Sequence, residues 1–258
     1  MKKICGILLS LLFTVCLTVN AYAVHVPNGW CIIRNKTNTQ PVLASEFQFI
    51  EKYDCCYVDK AHGDTATEKM LYLTFDAGYE NGNIEKILDV LKEEGVPATF
   101  FVLSHLVIKN TDLVLRMANE GHTVANHTSR HRDMTKCHDK DEFLGELAKL
   151  EAVYLEKTGK TMAKIYRPPE GKLTEENLKF LREGGYKTVM WSFAYADWDN
   201  EKQPSPEKAK EKIMENMHNG AILLLHQTAE TNAYILCDCI RTWREMGYSF
   251  GRVEDIRS

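Results

Sequence analysis

What this chain lacks removes several classes of function. Its 32 basic residues are outweighed by 36 acidic ones, and no lysine or arginine tract suits a phosphate backbone; nucleic acid is not an expected partner. No paired Cys-x-x-Cys spacing occurs, which argues against a structural zinc site built on thiolates. Internal repeats and low-complexity segments are absent, so solenoids and unstructured scaffolds drop out. The apolar stretch from Ile4 to Val19 is shorter than the roughly 20 residues a spanning helix needs. It follows Met1-Lys2-Lys3 and precedes Ala21-Tyr22-Ala23, and so reads as a secretory signal peptide over residues 1–23, cleaved after Ala23. The expectation is an exported, extracytoplasmic protein, with 30 basic and 36 acidic residues left after cleavage.

What remains, about 235 residues, is the length of one large α/β domain. Residues 24–66, with Pro27, Asn28, Gly29 and Pro41 and an amphipathic stretch near 45–53, read as an N-terminal extension packed on a main domain at 67–258; alone they are too short to bury much core. Eight cysteines are present, two of them in the signal. The other six, Cys31, Cys55, Cys56, Cys137, Cys237 and Cys239, permit disulfides in an exported protein, in pairings the sequence does not rank. Buried free thiols are the alternative. Cys237 and Cys239 are two apart on an expected helix and so point away from each other.

From residue 71 onward, short β-branched or aromatic runs alternate with segments of helical period, the pattern of repeated β-α units and a parallel sheet. Seven strands are expected, at 71–76, 98–103, 122–127, 164–169, 188–193, 221–226 and 248–253, with helices near 83–94, 111–120, 141–158, 174–183, 205–218 and 233–246. Thr174 and Ser205 read as N-caps, and Gly95, Gly121, Gly159, Gly184 and Gly247 as helix stops. The fold class is α/β, a barrel or an open sheet.

The polar residues carry the functional argument. Asp76 closes the first expected strand, His127 the third, Arg167 lies in the fourth, Asp197 follows the fifth and His226 closes the sixth. In a parallel barrel or sheet all those strand ends open on one mouth. Taken singly each has an ordinary explanation: an Asp at a strand end caps helices, Arg167 before Pro168-Pro169 ties down a loop, and His226 after apolar residues is a core histidine. Their shared location is harder to explain that way. His127 and His131, four apart, are expected on one side of a helical turn, as metal binding requires. An acidic residue beside such a pair points to a general base next to a metal-held water, hence a hydrolase. Ala77 stands where a second carboxylate is expected if the metal is to have three protein ligands, and Glu80 is the nearest spare carboxylate.

Thr74-Phe75-Asp76-Ala77-Gly78, Asn126-His127-Thr128-Ser129-Arg130-His131, Arg167-Pro168-Pro169-Glu170-Gly171, Asp197-Trp198 and Leu224-Leu225-His226 resemble the five ordered motifs of the polysaccharide deacetylases, carbohydrate esterase family four. The resemblance covers about residues 68–256 and implies a distorted (β/α) barrel of about seven parallel strands. The extended run Thr74 to Gly82, the segment Trp191 to Trp198 and Val26-Pro27-Asn28-Gly29-Trp30 are similar to the subgroup that deacetylates N-acetylmuramic acid in peptidoglycan for muramic δ-lactam of the spore cortex. In that subgroup the second Asp of the first motif is characteristically Asn; here it is Ala77.

The resemblance implies site roles. Asp76 is expected as general base and His226 as general acid, with Arg167 paired to Asp76 and Asp197 holding His226. His127 and His131 are expected to hold a divalent cation, zinc or another, weakly because Ala77 replaces a ligand. A backbone N–H near Tyr79 is expected at the oxyanion, and Tyr79, Trp198, Leu224 and Pro168 at the substrate, Leu224 and Trp198 lining the acetyl pocket. Tyr195, Trp198 and Phe193 are candidates for stacking on sugar faces, although aromatics in an apolar strand more often serve a core. The expected partner is a peptidoglycan glycan strand, supplied by an amidase that strips the stem peptide, and the protein is expected to act as a monomer. Two rivals stand beside this reading: a deacetylase of chitin-like or xylan chains, and a catalytically silent glycan-binding module. A binder has no need for an acid and a base on opposite sides of one pocket.

Overall fold

The computed structural model describes residues 29–35 and 37–257; the expected signal peptide lies outside them. Among the described residues, ten strands and seven α-helices follow one another. A small antiparallel pair, β1 (Ile32–Ile33) and β2 (Val42–Leu43), comes first, then β3 (Cys55–Cys56). The repeating part runs β4 (Lys69–Ala77), α1 (Ile84–Glu94), β5 (Ala98–Val102), α2 (Ser104–Lys109), α3 (Thr111–Asn119), β6 (Thr123–Asn126), α4 (Lys140–Thr158), β7 (Ile165–Tyr166), α5 (Glu175–Glu183), β8 (Lys187–Val189), α6 (Pro206–Glu215), β9 (Ala221–His226), α7 (Glu230–Glu245) and β10 (Tyr248–Phe250). All seven expected strands form and pair in parallel, and the six expected helices form. The short α2 and β3 were not legible, because six and two residues carry too little periodicity.

The sheet curls into a distorted barrel. β4 pairs with β5 on one edge and β9 on the other, and β6, β7 and β8 continue from β5. Past β8 the chain swings across to β9, where Phe193 bridges Leu223. β3 lies on β8 while Val58 forms an antiparallel bridge to Ala221 on β9, so residues 55–58 fill the seam at the other end. Strand β7 is shorter than expected because Pro168 and Pro169 have no N–H to give to a ladder. The expected stretch 188–193 is likewise interrupted after Val189 by that crossing.

Alternation along β4 sorts its side chains. Leu71, Leu73, Phe75 and Ala77 face a layer built with Ile84, Ile87, Leu88 and Leu91 of α1 and with α7. Tyr72, with Phe101, Ala125, Ile165, Val189 and Ile222, fills the barrel interior. Each fully buried Ile or Leu in these layers contributes roughly 2 kcal/mol. Phe47 and Ile50, on a 3-10 helix at Ser45–Lys52, pack with Phe143, Leu147, Leu178 and Leu181 of α4 and α5 in a third cluster. Thr174 caps α5 through a capping box closed by Asn177, and Ser205 caps α6. One stop shifts by a residue: Gly185, at φ 73°, takes the left-handed turn expected of Gly184. The six cysteines are free thiols, and burial pushes the Cys56 thiol up to about 12.

Candidate active site

The strand ends converge as their positions demanded. Asp76 and His226 are register partners on β4 and β9, and both line a cleft of about 740 Å³ with His131, Leu224, Trp198, Trp191, Tyr195 and Glu170. The expected base and acid therefore sit on adjacent strands and not on opposite sides of the pocket, because β9 returns beside β4 to close the barrel.

Arg167 fixes Asp76. Its side chain is wholly buried, under the ring of Phe101 at 4.1 Å. Nε donates to the Val189 carbonyl (3.0 Å), Nη2 to that of Met190 (3.2 Å) and Nη1 to Asp76 Oδ1 (2.9 Å). Burial alone pushes the Asp76 carboxyl up; His127, Arg167 and His226 outweigh it and hold it below the usual carboxylate range. Of these, Arg167 is the lasting cation, since burial pushes His127 down to about 4 and leaves it neutral near pH 7.

On the adjacent strand β9, His226 Nδ1 lies 2.7 Å from Asp197 Oδ1, and the His226 backbone N–H donates to Oδ2 at 2.8 Å. Burial lowers the imidazole's proton affinity, but the hydrogen bond and charge of Asp197, with Asp76 beyond, raise it above the ordinary value. The two groups are thus shifted in opposite senses, the Asp76 carboxyl toward its ionised form and the His226 imidazole toward its protonated form, as the expected base and acid require.

His127 and His131 do not share a helical turn. They lie on a loop in which Thr128 (φ 73°) and His131 (φ 57°) take left-handed conformations, costly for a β-branched Thr. Asn126 Oδ1 accepts from the Thr128 N–H and Thr128 Oγ1 from the His131 N–H, both at 2.8 Å. The bend sets the rings edge to face at 5.1 Å. His127 Nδ1–H donates to the Arg167 carbonyl (2.8 Å), which leaves the Nε2 lone pair toward Asp76 Oδ2, 3.5 Å away.

For a divalent cation the donor chemistry suits as far as it goes: a neutral, tautomer-fixed imidazole and a second one at the cleft. A third side-chain ligand is missing. Ala77 is fully buried in the helix-facing apolar layer, and among the described residues no group of three His, Cys, Asp or Glu is arranged to hold a metal ion. Glu80 is no spare carboxylate either; it accepts from the backbone N–H groups of Gly82 and Ile84 at the start of α1.

Of the expected substrate residues, Leu224 and Trp198 line the cleft, Trp198 at 65% exposure. Tyr79 is exposed outside the lining, its ring 4.8 Å from that of His105 and tilted to it by 46°. Pro168 is buried and does not line it. Phe193 is core, Tyr195 a cleft wall. Glu170, Trp191 and Asn232 were missed. Glu170 has φ 56° and pairs with Lys172 at 2.5 Å; its place in the Arg-Pro-Pro-Glu-Gly motif was the available signal. Trp30 braces this loop: its backbone N–H donates to the Gly171 carbonyl and its indole to that of Trp191.

The polysaccharide deacetylase profile matches residues 63–189. The chain is 38% identical to the Bacillus subtilis peptidoglycan-N-acetylmuramic acid deacetylase PdaA over 240 residues, covering 92% of this chain and 89% of PdaA. This protein belongs to the polysaccharide deacetylase family. The solved structure of PdaA, described as a family 4 carbohydrate esterase, superposes with a TM-score of 0.82 at 37% identity over 88% of this chain and 95% of that one. A family 4 carbohydrate esterase from Bacillus anthracis matches with a TM-score of 0.72 at 35% identity, over 91% and 98% of the two chains. BA3943, a family pseudoenzyme from Bacillus anthracis, matches with a TM-score of 0.65 at 28% identity, over 74% and 66%.

Proposed function

We propose that the protein is an extracytoplasmic peptidoglycan N-deacetylase that hydrolyses the N-acetyl amide of N-acetylmuramic acid. The observation that carries this is the pairing of Asp76 with His226 at the mouth of one barrel, each held by its own buried partner, Arg167 or Asp197. Similarity to PdaA over nearly the whole chain favours muramic acid over chitin-like or xylan substrates.

Asp76 removes a proton from the attacking water, and backbone N–H groups near Tyr79 bond the oxyanion. His226 then protonates the departing nitrogen as the C–N bond breaks, leaving acetate and a free amine. Leu224 and Trp198 hold the acetyl methyl. His127 and His131 would hold a divalent cation, which when bound supplies Lewis acidity to the acetyl carbonyl and the water. The wider reading has residues 1–23 as an export signal, a place in spore-cortex δ-lactam formation after an amidase has removed the stem peptide, and action as a monomer.

A second reading, a silent glycan-binding module, is favoured by one observation, the missing third ligand at Ala77. Product analysis separates them. The enzyme releases acetate from peptide-stripped muramyl strands and leaves chitin oligomers and acetylated xylan intact. A binder retains glycan and releases none, and acetate from the chitin or xylan chains alone would overturn the muramic acid assignment.

A further inference from the structure

Asn232 is neither part of the five motifs nor exposed to the cleft, yet it sits behind the acid. It lies in the first turn of α7, 2% exposed. Its Nδ2 donates to Asp197 Oδ2 (2.6 Å) and to the His226 carbonyl (3.0 Å). Its Oδ1 accepts from the hydroxyl of Tyr195, whose side chain forms part of the cleft wall. The wholly buried Asp197 carboxylate thus has three donors: the His226 backbone and Asn232 on Oδ2, and the His226 ring on Oδ1.

We infer that Asn232 is a positioning residue for the general acid: it fixes the Asp197 carboxylate so that one oxygen is left to orient the His226 ring, and it links that pair to the cleft through Tyr195. An amide serves here where a carboxylate or a hydroxyl does not. Two N–H donors go to Asp197 and to the His226 carbonyl while the oxygen accepts from Tyr195; a hydroxyl has one proton to give, and a carboxylate adds a charge. An ordinary role is available, since the donation to the His226 carbonyl also ties α7 to β9. That tie accounts for neither the bond to Oδ2 nor the acceptance from Tyr195. The inference rests on the reading of His226 as the acid.

The charged groups around His226 are Asp197 from the loop after β8, Asp76 from β4 and Arg167 from the segment after β7; Asn232 supplies the neutral contact from α7. Removing its donor leaves the Asp197 charge less spread, so the ring holds its proton to higher pH while losing its aim.

The test follows the His226 ring nitrogens by NMR against pH in full-length, histidine-labelled wild type, Asn232→Ala and Tyr195→Phe, with steady-state deacetylation of peptide-stripped strands alongside. In Asn232→Ala the His226 midpoint is expected to move up and kcat to fall about 10- to 100-fold, the usual cost of losing a supporting partner, with KM little changed. Tyr195→Phe, which keeps the fold if Asn232→Ala does not, is expected to show a smaller change of the same sign. Unchanged midpoints and kcat in whichever variants fold would overturn the inference. Wild type that releases no acetate from any glycan would overturn the function instead, and the titration would still decide the role of Asn232.

Discussion

Arg167 Nη1 lies 2.9 Å from Asp76 Oδ1, and the guanidinium that makes this contact has no exposed surface. Three of its donors are spent, two on the carbonyls of Val189 and Met190 and one on Asp76. A buried cation of this kind must be matched, because removing one partner strands the other in a low dielectric.

Arg167→Met is therefore expected to destabilise the fold by roughly 3–5 kcal/mol and to raise the Asp76 pKa. Arg167→Lys cannot reproduce the fork, and is expected to keep the charge yet lose most of the activity. Thermal unfolding and the acid limb of the rate profile check both.

The pH dependence follows from the two tuned groups. Asp76 is held below its ordinary 3.8 and His226 above its ordinary 6.5, so the plateau of kcat is expected to extend below and above those values. The same shifts enter stability. The Asp76 contribution is present above pH 3.8 and is lost as pH falls through the folded value; that of His226 is present below pH 6.5 and is lost as pH rises through the folded value. A bell-shaped profile confined between 3.8 and 6.5 would contradict the assignment.

The metal prediction centres on Ala77. With two imidazoles, activity is expected to fall on treatment with a chelator and return with added zinc. Ala77→Asp places a carboxylate in an apolar layer, and without metal it is expected to lower stability by at least ~2 kcal/mol. With zinc it is expected to regain that loss and to bind the ion at least about tenfold more tightly than wild type. Calorimetric titration with zinc and melting with and without the ion read both effects.

Gly171 has φ +66°, and a Cβ there would stand 2.7 Å from Trp191 and from the Trp30 side chain. Gly171→Ala is expected to cost roughly 1–3 kcal/mol and to raise KM more than it lowers kcat, because Glu170 and Trp191 line the cleft.

Much of this site was legible because a parallel barrel turns sequence position into direction. Once Asp76, His127, Arg167, Asp197 and His226 were seen at strand ends, their convergence needed no side-chain detail. Three kinds of feature escaped. The His127–His131 loop carries left-handed turns at Thr128 and His131, the first at a β-branched residue that rarely adopts one. Asn232 reaches Asp197 and Trp30 reaches Trp191 through hydrogen bonds across more than thirty residues of sequence, and no spacing announces such contacts. β3 escaped for the opposite reason: two residues of local sequence are too few, and their pairing with β8 is made by tertiary structure.

Asp76 and His226 are expected to cleave the acetamide of muramic acid. This is tested most directly by acetate release from peptide-stripped peptidoglycan strands by wild type and Asp76→Ala under identical metal. Wild-type turnover and a loss of about a thousandfold in the variant are expected, the usual scale of a general base. Undiminished acetate from Asp76→Ala, or none from wild type on any glycan, would contradict it.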